Sequence, residues 1–317
     1  MKKLIFFIFF LLNSILYANN YSVFFNSKNY GLIDNKRNVI FKPKFSNIYI
    51  SEEGFVFCEN DRNVYYVYTP KLELIHFTPE NSTLNWCGNH EIYVTHPQLT
   101  DGSYTSYVFN FLTCKKSEYR YKKQYLYQPY YYNNLAVVLK ENNLKFSVVD
   151  RNDNELYTDF AQADWNFSEG LLPVIYQNGK SGYIDTKGNL VLDVPVYKDE
   201  RMGGPKIEHL LKYRFHDGVA FLQINKDIWV LLDKEGNMQN LPENYSFPDR
   251  SFSNGLVVTE NKNHKFGYMN KKLELAIPCI FNSAKMFIGK YAIVVHNGKD
   301  AIVDADGNIY YCRDFCK

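Results

Sequence analysis

Gly182-Tyr183-Ile184-Asp185-Thr186-Lys187-Gly188-Asn189-Leu190-Val191-Leu192 is an apolar run, an acidic stop, a glycine-containing turn and a second apolar run. The pattern recurs along the 317 residues. Aligned on Gly182, its copies fall at Gly31, Tyr66, Tyr107, Ser147, Val230, Gly267 and Ala301, with spacings of 34 to 48 residues. The copy at Tyr107-Val108-Phe109-Asn110 is the weakest. A strand-built period of this size predicts a repeat architecture, in which each unit buries its apolar faces only against its neighbours.

A second motif keeps step with the first. Phe167-Ser168-Glu169-Gly170, Phe215-His216-Asp217-Gly218 and Phe252-Ser253-Asn254-Gly255 each open an apolar run, and each phenylalanine lies 15 residues before its hairpin marker. Phe287 lies 14 before Ala301. Two unlike motifs holding a fixed offset while the period stretches to 48 identify one repeated unit.

The turns have a chemical reading. In Asp185-Thr186-Lys187-Gly188-Asn189, Asp233-Lys234-Glu235-Gly236-Asn237 and Asp304-Ala305-Asp306-Gly307-Asn308 the leading aspartate can accept backbone N–H groups across the turn. Gly188, Gly236 and Gly307 can take the left-handed conformation of a three-residue hairpin with a bulge. Asp34 and Asp150 stand at equivalent positions. The recurrent acids are thereby assigned to turn structure, not catalysis. The flanking runs, such as Val64–Tyr68 and Tyr291–Val295, are short and rich in β-branched and aromatic residues, as strands require.

These residues resemble the WG-repeat family. The resemblance rests on Asn178-Gly179-Lys180-Ser181-Gly182-Tyr183-Ile184-Asp185, on Phe41-Lys42-Pro43-Lys44-Phe45 and Ile277-Pro278-Cys279-Ile280-Phe281, and on Phe167-Ser168-Glu169-Gly170-Leu171. The family's tryptophan is kept once, as Trp229; Tyr30, Phe146, Ser181, Phe266 and Asp300 take its place elsewhere. The likeness spans residues 20–317, is strong from 165 onward and is diverged across 76–145. It implies an all-β array and brings no catalytic residues. Of the two arrangements open to about eight β-hairpin units, a β-propeller-like ring is favoured over an open twisted β-solenoid. Residues 19–317 read as one domain, with a helical interruption expected over 207–213.

Residues 1–18 have the form of a secretory signal peptide, with basic Met1-Lys2-Lys3, an apolar core from Leu4 to Leu12 and Leu16-Tyr17-Ala18 before the cleavage point. An extracytoplasmic location, periplasmic, surface-bound or secreted, is the expectation. No later stretch reaches the twenty apolar residues of a membrane helix. Lysine and arginine total 36 against 34 acids, and losing Lys2 and Lys3 brings the formal charge from +2 to zero. A chain without net charge has no long-range pull toward nucleic acid. Cys58, Cys87, Cys114, Cys279, Cys312 and Cys316 could form three disulfides in an oxidising compartment, with the pairing open.

No motif for a phosphate loop, a zinc protease or a nucleophile elbow is present, so neither cofactor nor metal is expected. The most unusual composition lies at Tyr119, Arg120, Tyr121, Lys122, Lys123, Tyr125, Tyr127, Tyr130, Tyr131 and Tyr132. On a strand, such alternation sets aromatic faces beside cations, a contact patch suited to glycan or peptide. Packing between diverged repeats is the other use of the same tyrosines, and is favoured. Two functions follow: a non-catalytic binding protein for a protein or envelope polysaccharide, or a glycan-active enzyme whose site is assembled from loops of several repeats. The absence of any active-site motif favours the first.

Overall fold

Each hairpin marker falls on the middle strand of an antiparallel ladder in the computed structural model, which describes residues 20–51, 53–88, 90–98, 104–118, 129, 131–140, 145–195 and 213–315. The first unit comprises β1 (Tyr21–Phe25), β2 (Tyr30–Asp34) and β3 (Val39–Phe45), and the second β4 (Asn47–Ile50), β5 (Val56–Glu59), β6 (Tyr65–Tyr68) and β7 (Leu74–Phe77). The third has β8 (Thr83–Gly88), β9 (Glu91–Pro97), β10 (Tyr104–Asn110) and β11 (Lys115–Glu118). The fourth runs through β12 (Tyr131–Tyr132), β13 (Leu135–Leu139), β14 (Phe146–Val149) and the start of β15 (Glu155–Ala163). The fifth continues from β15 into β16 (Leu171–Tyr176), β17 (Ser181–Asp185) and β18 (Leu190–Asp193). The sixth is β19 (Val219–Gln223), β20 (Trp229–Asp233) and β21 (Met238–Asn240). The seventh contains β22 (Tyr245–Ser246), β23 (Leu256–Asn261), β24 (Phe266–Asn270) and β25 (Leu275–Phe281). The eighth has β26 (Ser283–Ile288), β27 (Tyr291–His296), β28 (Lys299–Asp304) and β29 (Ile309–Tyr311), followed by the single-turn helix α1 (Cys312–Phe315).

The weak third copy is regular, with Tyr107 paired to Val94 on one side and Glu118 on the other. In most units a further strand precedes the turn that opens the hairpin, giving four strands to the sheet. The reason is continuity of chain: β25 passes through Asn282 alone into β26, and β15 serves as last strand of one unit and first of the next.

The hairpin strands are buried on both faces, so they read as apolar runs without alternation. In the seventh unit, Val257 and Met269 pack with Phe221 and Leu231 of the sixth. Their neighbours Val258 and Tyr268 pack with Val294 and Ala301 of the eighth. Alternate residues thus feed two different cores, which ties the units in sequence.

The last unit also packs on the first. Phe24 and Ile33 share a core with Tyr291, Ile302 and Cys312. Ser22 Oγ accepts the N–H groups of Lys290 at 2.9 Å and Tyr291 at 3.3 Å, and Tyr291 donates its hydroxyl to the Asn35 carbonyl at 3.1 Å. The array therefore closes on itself, as the ring arrangement requires. Among the described residues closure uses apolar packing and side-chain hydrogen bonds, without an exchanged strand.

Phe167, Phe215, Phe252 and Phe287 are all buried, and the turns they open latch onto one another. Ser168 Oγ donates to the Phe215 carbonyl at 2.6 Å, and Ser253 Oγ to the Phe287 carbonyl at 2.8 Å. The Glu169 carboxylate accepts the Gly218 N–H at 3.0 Å, and Asp217 accepts that of Gly255 at 2.7 Å. The acids of the second motif join one unit to the next.

Between the second and third units, His76 is buried, stacks on Phe109 at a centroid distance of 4.1 Å and shares a 2.9 Å hydrogen bond with the Tyr107 hydroxyl. Desolvation, with the nearby Lys116 charge, pushes its pKa down to about 4 from 6.5. The unfolded chain therefore takes up this proton first as pH falls. Stability from neutral His76 is complete above pH 6.5 and is lost as pH drops toward 4. Denaturant melts at pH 7 and pH 5 should show the parent losing on the order of 1–2 kcal/mol more than His76→Gln, which keeps a partner for Tyr107. Equal losses in the two chains would refute a buried neutral imidazole.

Candidate functional site

The turn aspartates are engaged as turn chemistry requires. Asp185 Oδ1 accepts the N–H groups of Lys187 and Asn189, both at 2.9 Å, while Oδ2 accepts the Asn189 amide at 3.0 Å. Asp34, Asp150, Asp233 and Asp304 each accept from the residues two and four positions on in the same manner. For Asp185, desolvation acts upward but the hydrogen bonds from Asn189 and Lys187 outweigh it and lower the carboxyl pKa. Gly188, Gly236 and Gly307 have φ of 82°, 88° and 84°, the left-handed values anticipated for this turn. In the first unit Arg37 occupies that position at φ 68°.

Most of the tyrosine-rich segment, Tyr119 to Tyr127 and Tyr130, lies outside the described residues. Tyr131 is buried on β12, with the Arg151 guanidinium 4.5 Å from its ring centroid. Tyr132 stacks on Phe167 at 6.0 Å. These two tyrosines pack within and between units. The segment 1–18 and Cys316 also lie outside, as does 207–212; Tyr213 at its end is a core residue.

No disulfide joins any two of Cys58, Cys87, Cys114 and Cys279. Cys58 is fully buried on β5, and desolvation pushes its thiol up to about 12. That thiol is a core hydrophobe. No group of three His, Cys, Asp or Glu able to hold a metal ion converges among the described residues.

A cleft opens between the sixth and seventh units, beside the one retained family tryptophan. It has a volume of about 440 Å³, within the range of small-molecule sites. Trp229, first residue of β20, packs against Tyr213 at 5.9 Å and touches the cores on both sides of its sheet. The Arg250 guanidinium carbon lies 3.9 Å from its ring centroid, a close cation–π contact. Arg250 belongs to a loop pinned at both ends, since Phe247 and Phe252 pack on Phe221 at 5.3 and 5.8 Å. Between those anchors Arg250 adopts φ 47°, which turns the chain beside the indole.

Desolvation lowers the Arg250 pKa from its ordinary value, against the field of Tyr213. The group remains a cation, because an arginine has several units in reserve above neutrality. Among the described residues no carboxylate lies within ion-pair distance of it. Asp227, Asn240, Glu243 and Ser246 supply polar groups to the same cleft, and Leu241, Pro242 and Tyr245 apolar surface. The sequence marked Trp229 as exceptional, but nothing marked Arg250, which stands 21 positions later and meets the tryptophan only through tertiary packing.

The model of the WG containing repeat matches residues 30–61 and 266–299, which include the markers Gly31 and Gly267. Comparison with curated proteins finds no match. Among solved structures, the dihydro-heme d1 dehydrogenase NirN in complex with DHE is 14% identical at a TM-score of 0.47, over 92% of this chain and 72% of its own. A eukaryotic initiation factor is 10% identical at 0.48, over 92% and 95%. BamB from Moraxella catarrhalis is 12% identical at 0.41, over 83% and 86%.

Proposed function

We propose that this WG-repeat protein is a non-catalytic binding protein, exported by its N-terminal segment, that presents its repeat surface to a protein or an envelope polysaccharide. One observation carries the reading. The recurrent acids are engaged in turns and inter-unit latches, whereas Arg250 stands over Trp229 in the lining of a cleft and, among the described residues, has no carboxylate within ion-pair distance. Fixed donors beside an aromatic ring favour recognition of a ligand, and a rigid ring of sheets holds them without rearrangement.

The test incubates immobilised chain, residues 19–317, separately with the protein and polysaccharide fractions of a cell envelope. Saturable capture from one fraction, competed by free chain, is the expected result. A variant with alanine at Tyr119, Tyr121, Tyr125 and Tyr127 reports whether the tyrosine-rich segment takes part. Absence of capture from both fractions would overturn the proposal.

Glycan hydrolysis has one observation in its favour, that Asp227 and Glu243 both line the cleft. Two carboxylates flanking a bound sugar are the usual equipment of glycosidases. Release of new reducing ends from a captured polysaccharide, abolished by Glu243→Gln, would replace the binding reading with that one.

A further inference from the structure

We propose that the cleft beside Trp229 takes the carboxylate of an acidic saccharide, with Arg250 as the anchoring cation; this rests on the polysaccharide branch of the binding reading. The guanidinium carbon lies over the indole, 3.9 Å from the ring centroid, and among the described residues no carboxylate pairs with its N–H donors. A planar fork of this kind matches the two oxygens of a carboxylate, and its partial burial strengthens a charge-assisted hydrogen bond.

The remaining lining limits the ligand's charge. Asp227 and Glu243 disfavour a doubly charged phosphate, and they disfavour a polymer carrying an acid on every residue. Their oxygens, with the Asn240 amide and the Ser246 hydroxyl, accept and donate as sugar hydroxyls require. Tyr245 supplies an aromatic ring, a surface against which the apolar face of a sugar packs. A saccharide in which one uronate alternates with neutral residues meets each of these conditions.

The test is isothermal titration of the folded chain with a tetrasaccharide alternating glucuronate and N-acetylglucosamine. A carboxyl-reduced counterpart and a short peptide with a free C-terminal carboxylate are titrated in parallel. The acidic tetrasaccharide should bind, and carboxyl reduction should weaken it about tenfold or more. Arg250→Gln should produce a comparable loss while keeping the native far-UV spectrum, with Arg250→Lys intermediate because it keeps charge but not the fork.

Equal binding of the acidic and reduced sugars by the parent overturns the proposal, and this comparison needs no variant to fold. No binding of the acidic sugar at millimolar concentration also overturns it, and tighter binding of the peptide overturns the saccharide assignment. Envelope polysaccharide captured equally by the parent and Arg250→Gln would leave the binding reading standing while removing this site from it.

Discussion

Replacing Arg214 by leucine should lower the unfolding free energy by about 3–5 kcal/mol, the range for a buried charge deprived of its partner. Asp164 is completely buried, and the Arg214 guanidinium grips it with two bonds, Nε to Oδ2 at 2.6 Å and Nη2 to Oδ1 at 2.7 Å. The Trp165 N–H gives Asp164 a further bond at 2.6 Å, too little to replace a cation. The pair spans the fifth and sixth units across the long 48-residue spacing, where Arg214 immediately precedes the second motif at Phe215. Urea melts with an unchanged slope would measure the loss. The double variant Asp164→Leu, Arg214→Met should recover much of it, because an apolar pair leaves no charge stranded. A loss under about 1 kcal/mol for Arg214→Leu would show that water reaches Asp164 after all. The same substitution should raise the His216 pKa. Desolvation lowers it foremost, but the Arg214 charge contributes, and an NMR titration of the ring isolates that part.

The fold was legible because its determinants are local and repeated. An aspartate that accepts two N–H groups within four residues leaves its mark in five consecutive positions, and the turns at Asp34, Asp185, Asp233 and Asp304 have the geometry that spacing implies. The second motif was legible as a signal but not as a device. Ser168 and Glu169 bond to residues 47 and 49 positions away, a relation no linear period displays. Closure was foreseen as the favoured arrangement, while its means were not: Ser22 and Tyr291 are ordinary residues until the two ends of the chain meet. The cleft belongs with these cases. Trp229 stood out by its motif, but the partner that makes a site of it is set by the way Phe247 and Phe252 pin an intervening loop.

Gly267→Ala should destabilise the protein by about 3 kcal/mol, at the upper end of the cost of overpacking, despite adding one methyl group. The motif glycine is a close-approach residue. A Cβ built on Gly267 would lie 2.5 Å from the Ile277 carbonyl oxygen and 2.8 Å from the Cys279 nitrogen, and both neighbours are backbone that cannot swing aside. A Cβ on Gly31 would lie 2.7 Å from the Phe41 carbonyl oxygen, and one on Gly182 2.0 Å from that of Leu192. In all three units the third strand slips register against the second near this point, between Tyr268 and Phe266 in the seventh. The bulge folds the proline-aromatic run over the glycine, and the two sequence signals are halves of one contact. Gly298→Ala provides the comparison: nothing lies within 4 Å of its added Cβ, and only its φ of 72° is unfavourable. That variant should lose about 1 kcal/mol, the conformational cost alone. Thermal and urea melts of the two variants would separate the mechanisms. If Gly298→Ala proves as damaging as Gly267→Ala, backbone conformation and not close approach explains the repeat's glycine.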